Sequence, residues 1–102
     1  PHAETHTIVL PHALAYNAAA APQAMQAIAA ALGAGQAAQG VFDLAKNNGA
    51  AVALRDLGMQ EADLDKACEI AMQNQYANPR PLERGAIRRL LQQAFDGQRP
   101  EA

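Results

Sequence analysis

Two histidines, His2 and His6, stand four residues apart at the start of the chain. On an α-helix, residues at this spacing share one face, with their Cβ atoms about 5–6 Å apart. Neutral imidazoles are common ligands of iron and zinc, and histidine also transfers protons near neutral pH. Two histidines do not complete a metal site, however, and the spacing alone fits two polar residues at a helix start. The pair therefore predicts either half of a metal or substrate site or an ordinary helix N-terminus, and spacing alone favours the second.

The helix expected to carry these histidines covers residues 3–17. Pro11 interrupts it and should kink or stop it, because proline removes one backbone hydrogen bond and clashes with the carbonyl four residues before it. We expect the imidazole of His12 to bond a backbone carbonyl that Pro11 leaves without a donor, which is a structural role. Tyr16 and Asn17 are expected to cap this helix.

The remaining sequence predicts an all-α fold of about five helices and no strand. Apolar residues recur at helical spacing in several segments, and glycine and proline mark their ends. Residues 50–58 are ambiguous and are expected to form a turn or loop. The further helices are predicted over residues 22–32, before a stop at Gly33, over 36–48, from about residue 61, and over 82–95.

One cysteine and one basic cluster remain as candidates for chemistry. Cys68 lies on the inward stripe of the fourth predicted helix and is expected to be a small core residue. Arg84, Arg88 and Arg89 are expected to form a solvated helix face. Arg80 is a better candidate for a binding role than these three arginines, because it lies in a rigid segment between two prolines.

Composition limits the classes of function. The chain has 102 residues and a net charge of −2, which fits one modest domain and gives no electrostatic argument for nucleic acid or a membrane surface. No apolar run approaches the roughly 20 residues of a membrane span. A single cysteine excludes an internal disulfide and fits the reducing cytoplasm. The chain begins at Pro1 and has no glycine-rich phosphate loop after a strand, so we expect a fragment or a processed chain.

Residues 1–17, PHAETHTIVLPHALAYN, resemble a segment of the iron-containing alcohol dehydrogenase family. That segment reads Pro-His-Gly, then Asn-Ala, then Leu-Pro-His, and closes on an aromatic residue and Asn. The version with Ala-Glu-Thr-His after the first histidine is similar to the maleylacetate reductase branch of the family. The resemblance continues, less specifically, through residues 54–67 and 78–97, and so covers nearly the whole chain.

The resemblance implies the C-terminal helical domain of this family, with an upstream nucleotide-binding domain as its partner and a homodimer allowed. In the family one Asp and three His hold the metal, and the last of these histidines corresponds to His2. His6 stands where the alcohol dehydrogenases usually have Asn. The resemblance therefore implies His2 as a metal ligand or substrate contact, and His6 as a substrate contact and catalytic proton donor. A divalent metal, iron or zinc, is implied only in part, because the pattern around His2 has changed.

For the maleylacetate reductase branch, the implied reaction is reduction of maleylacetate to 3-oxoadipate with NADH or NADPH, in bacterial breakdown of aromatic and chlorinated aromatic compounds. The substrate is a small dicarboxylate, and Arg80 is then a candidate substrate-binding residue. The 102 residues alone are not expected to be active. Two alternatives remain, which are a metal-dependent alcohol dehydrogenase of the same family and a non-enzymatic helical interaction module.

Overall fold

The computed structural model describes residues 2–73 and 78–100, with side chains from residue 4 onward. This part of the chain forms five α-helices and two short 3₁₀ helices, Ala18–Ala20 and Leu54–Leu57, and no strand. The prediction of an all-α fold of about five helices is confirmed. The α-helices are α1 His2–Asn17, α2 Pro22–Leu32, α3 Ala37–Asn47, α4 Asp63–Gln73 and α5 Arg84–Asp96.

Helix α1 is the centre of the packing. It lies against α3 on one side and α5 on the other, while α2 packs on α3 and α4 packs on α5. Two apolar clusters join these helices. The first contains Tyr16, Cys68, Ala86 and Ile87, and the second contains Ile8, Leu54 and Ala94. Because Ile8 belongs to one cluster and Tyr16 to the other, the middle of α1 and its C-terminal end are held by different neighbours.

The first helix does not stop at Pro11. It runs without interruption from His2 to Asn17, although Pro11 cannot donate a backbone hydrogen bond. Pro11 is fully buried. Burial of its apolar ring among the packed helices compensates for the missing hydrogen bond, so the helix continues over the predicted range, residues 3–17.

Other helix ends follow the sequence closely. Pro22 occupies the first turn of α2, and Gly33 ends it in the left-handed conformation with φ of 66°. Gly97 ends α5 in the same way, with φ of 72°. Glycine adopts this backbone conformation without the steric penalty that a Cβ atom brings.

The ambiguous segment 50–58 contains the 3₁₀ helix Leu54–Leu57. Leu54 is buried and Arg55 is exposed, as their residue types predict. This short helix packs on α5 and α1 and closes one end of the core. Within the described part of the chain, no helix is both long and apolar enough to cross a membrane.

Candidate functional site

The two predicted site histidines lie in the first turns of α1. The helix begins at His2, whose side chain lies outside the described residues. The side chain of His6, one turn later, is exposed. The helical backbone places these two residues on one face, as their spacing predicts. This end of α1 can therefore present the His6 imidazole to a ligand.

The described residues do not complete a metal site by themselves. No group of three or more His, Cys, Asp and Glu side chains among them could hold a metal ion. His2 and His6 offer at most two nitrogen ligands, whereas protein sites for zinc or iron need at least three protein ligands. A metal bound at this end of α1 would need further ligands from outside the described residues.

The other end of α1 is tied to the segment that precedes α5. The hydroxyl of Tyr16, a residue only 9% exposed, donates a hydrogen bond to the carbonyl oxygen of Pro81 at 2.6 Å. It also accepts one from the backbone nitrogen of Glu83 at 3.1 Å. The prediction that Tyr16 caps α1 is wrong, because its side chain fixes a segment 65 residues later in the chain.

Like Tyr16, Asn17 uses its side chain to hold the segment before α5 and does not cap its own helix. The side-chain amides of Asn17 and Asn78 exchange two hydrogen bonds, at 2.8 and 3.3 Å. The Asn17 side-chain oxygen also accepts a hydrogen bond from the backbone nitrogen of Arg80 at 3.3 Å. Sequence reasoning missed this contact because nothing in local spacing links residues so far apart.

Arg80 lies at this second end of α1. Its guanidinium group sits 4.0 Å from the centre of the Tyr16 ring and donates to the Tyr16 carbonyl oxygen at 3.3 Å. It also lies 3.7 Å from a carboxylate oxygen of Glu83, and its side chain remains 41% exposed. Ten helical residues separate Tyr16 from His6, which is about 15 Å along the axis.

His12 is buried, with only 2% of its surface exposed, and its ring meets Phe42 edge-on with centroids 6.4 Å apart. Neither ring nitrogen has a hydrogen-bond partner among the described residues. The expectation that the imidazole bonds a backbone carbonyl next to Pro11 is wrong, because the ring packs toward α3 instead. Burial lowers the pKa of His12 below its ordinary value, because the charged form loses its hydration.

A cleft of about 200 Å³ opens between α1 and α5 beside His12. Its polar lining consists of His12, Tyr16, Arg80, Arg89 and Gln93. Arg89 and Gln93 are four residues apart on α5, so they share a face. That spacing is the signal in the sequence that could have identified them as a pair, and sequence reasoning took Arg89 only as part of a solvated face.

The rest of the basic cluster behaves as predicted. Arg84 forms an ion pair with Glu69, and Arg88 donates to Asp65 at 2.7 Å. Both pairs join α5 to α4 at the surface, where such interactions stabilise weakly. Cys68 is buried in the core, as expected, and its thiol lies 3.5 Å from the Arg84 carbonyl oxygen. From the sequence we also expect Tyr76 to pack at the end of the fourth helix, but this residue lies outside the described part of the chain.

The family model for the C-terminal part of the Fe-containing alcohol dehydrogenase family matches residues 1–95. The chain belongs to this family. The match covers the segment with His2 and His6 and the helices that follow it. The resemblance from the motifs at the start of the chain is confirmed.

Several members of the iron-containing alcohol dehydrogenase family are similar to the chain over almost its whole length. A maleylacetate reductase from Pseudomonas sp. (strain P51) is 58% identical over 101 residues, which are 99% of this chain and 29% of the relative. The crystal structure of maleylacetate reductase from Agrobacterium tumefaciens matches with a TM-score of 0.92 and 50% identity, over 98% of this chain and 28% of that one.

A second solved structure lies further away. The iron-containing alcohol dehydrogenase from Corynebacterium glutamicum has a TM-score of 0.83 and 37% identity, over 100% of this chain and 28% of that one. A crystal structure described as a putative alcohol dehydrogenase from Ralstonia eutropha JMP134 matches with a TM-score of 0.96 and 64% identity, over 99% of this chain and 29% of that one. The chain spans less than a third of the length of the curated relatives it matches.

Proposed function

We propose that this chain is the C-terminal helical domain of a maleylacetate reductase, which reduces maleylacetate to 3-oxoadipate with NADH or NADPH. The observation that carries the proposal is the 58% identity to a curated maleylacetate reductase across 99% of the chain. The reaction would belong to bacterial breakdown of aromatic and chloroaromatic compounds in the cytoplasm, where Cys68 stays reduced.

The partner of this domain would be a nucleotide-binding domain in the same protein, and the cleft between the two domains would hold the substrate. Relatives are more than three times as long as this chain, which leaves room for such a domain. Sites between domains are common for small substrates and cofactors. A homodimer is part of the same proposal, and the mass of the protein in solution tests it.

In this mechanism a bound nicotinamide supplies a hydride to one carbon of the substrate double bond. The electron pair of the double bond moves toward the neighbouring carbonyl and forms an enolate, and a proton must then reach the other alkene carbon. His6 is proposed as the donor of that proton, because its imidazole is exposed near the start of α1 and histidine is the most frequent general acid in enzymes. The two steps together add two electrons and two hydrogens.

His2 would orient the substrate or hold a metal at the same end of the helix. A divalent metal, iron or zinc, would supply positive charge near the developing enolate oxygen. His2 and His6 fit such a group in residue type and spacing, and the other ligands would come from outside this chain. The Arg80 guanidinium lies toward the opposite end of α1. The carboxylate that it is proposed to contact would therefore lie away from the group that His6 contacts.

The deciding experiment measures oxidation of NADH and of NADPH in the presence of maleylacetate, with the protein as its gene encodes it. We expect consumption of the reduced cofactor that depends on maleylacetate, together with formation of 3-oxoadipate. Short alcohols with the oxidised cofactor are the matched control. Faster turnover with alcohols than with maleylacetate would replace the proposal by the alcohol dehydrogenase alternative. No turnover with either substrate class would leave the non-enzymatic helical interaction module as the remaining hypothesis.

A further inference from the structure

The cleft between α1 and α5 has a polar lining that the proposed reaction at His6 does not use. Its volume of about 200 Å³ far exceeds the roughly 30 Å³ that one water molecule occupies in the liquid. His12 and His6 are six residues apart, about 9 Å along the helix axis. His12, which lines the cleft, therefore lies further along α1 than the proposed proton donor.

The buried imidazole of His12 is the first sign that the cleft receives a ligand. It is 2% exposed, and neither ring nitrogen has a hydrogen-bond partner in the described part of the chain. Buried polar side chains in native proteins nearly always have a partner, because an unpaired buried donor or acceptor is costly. The partner of His12 must then come from outside the described residues.

Arg89 and Gln93 are the second sign. On the same helix, Arg84 and Arg88 each pair with a carboxylate of α4. Arg89 instead lines the cleft, and the described residues supply no acid to its guanidinium group. The side-chain amide of Gln93, one turn later on the same face, likewise has no hydrogen bond to the described residues. A positive charge and an amide donor thus line the same cleft as the unpartnered imidazole.

We propose that this cleft binds a carboxylate group, with Arg89 as its ion-pair partner and His12 and Gln93 as hydrogen-bond donors. Arginine binds carboxylates through two parallel hydrogen bonds, which suits a planar anion. The charge of Arg80 is partly offset by Glu83, at 3.7 Å, so the lining balances one negative charge better than the two of a phosphate. The cleft volume fits a small acid and excludes a dinucleotide.

The carboxylate has two sources with the same chemistry. One is a small dicarboxylate from solution, and the other is an acidic side chain from a part of the protein beyond these 102 residues. The binding of a carboxylate at Arg89 does not depend on the proposed reductase activity.

The first arm of the test is calorimetric titration of succinate into the protein as its gene encodes it. Arg89→Gln should weaken succinate binding at least tenfold, whereas Arg84→Gln, which removes the same charge from the same helix, should leave it unchanged. Succinamide, the neutral analogue, should not bind, and inorganic phosphate should bind more weakly than succinate. Arg89 is exposed, so its replacement is not expected to impair folding.

His6→Ala separates this site from the proposed substrate site. Succinate held in the cleft keeps its affinity in this variant, whereas succinate held at His6 loses it. A crystal structure of the same protein forms the second arm. An Asp or Glu from another part of the protein within about 3.2 Å of Arg89 or His12 supports the internal source.

The proposal is overturned if Arg89→Gln does not change succinate binding and the crystal structure shows only water or apolar side chains in the cleft. It is also overturned if succinate binds equally to both arginine variants and loses affinity only in His6→Ala. Neither result bears on the reductase activity, which the NADH assay measures independently.

Discussion

The two ends of α1 carry the same residue type in opposite environments. Near the first end His6 is exposed. At the second end His12 is buried against Phe42, and Tyr16 and Asn17 hold the segment before α5. The difference shows that the neighbours of each histidine on this helix determine its role. The open end can offer groups to a reaction, while the closed end stabilises the fold and lines a cleft.

The largest expected effect is on enzymatic activity, and it distinguishes the two ends of α1. His6→Ala should lower maleylacetate turnover at least about tenfold, because a positioned proton donor is lost. The same change should leave the thermal unfolding midpoint within about a degree or two, since replacement of an exposed side chain costs little stability. Steady-state assays and thermal scans of both proteins check this. Glu4→Ala, an exposed residue near the same helix start, is the control, and equal turnover in the two variants would remove His6 from the mechanism.

The second prediction concerns the stability of the fold and tests the end of α1 that carries Tyr16 and Asn17. Tyr16→Phe removes the hydroxyl that bonds Pro81 and Glu83, and leaves two partly buried backbone groups without a partner. We expect a loss of about 1–3 kcal/mol in the free energy of unfolding, measured by urea denaturation. Maleylacetate turnover below the unfolding transition should change little. A variant as stable as the parent would contradict the role given to this end.

Asn17→Ala should have a smaller effect in the same direction. It removes the amide pair with Asn78 and the contact with the Arg80 backbone. Because these groups are only partly buried, water replaces some of the lost hydrogen bonds, and we expect a cost of about 1 kcal/mol. Urea midpoints of this variant and of Gln23→Ala, an exposed change on α2, make the comparison. The prediction is wrong if the two variants lose the same stability.

The smallest predicted effect concerns pH. Burial lowers the pKa of His12 in the folded protein below its ordinary value of 6.5. Below that pH the unfolded chain binds more protons at this residue than the folded chain, so stability falls as pH decreases from about 6.5 toward the folded-state pKa. The slope from one group cannot exceed about 1.4 kcal/mol per pH unit.

His12→Phe tests this pH effect, because it keeps a ring of similar shape and removes the titrating nitrogens. Urea midpoints at pH 7.5 and pH 5.5, taken without added dicarboxylate, should drop less in the variant than in the parent. The other ionisable groups are the same in the two proteins, so their contributions cancel in the difference. An identical drop in both would mean that burial of His12 does not affect stability in this range.

Much of the fold followed from local sequence. Pro22 and Gly33 bound α2, and the left-handed Gly97 ends α5, because these residues control the backbone within one or two positions of themselves. The family followed from the motif that contains His2 and His6, whose pattern is specific enough to be recognised without a structure. Cys68 was placed in the core by helical periodicity alone.

Tertiary structure decided what local rules could not. Pro11 does not end α1, because burial of its ring among neighbouring helices compensates for the lost hydrogen bond. Tyr16 and Asn17 bond a segment more than 60 residues away instead of capping their own helix. His12, Arg89 and Gln93 line one cleft only because α1 packs against α5. Sequence determines which groups lie on each helix face, and the packing of one helix on another determines which of those faces meet.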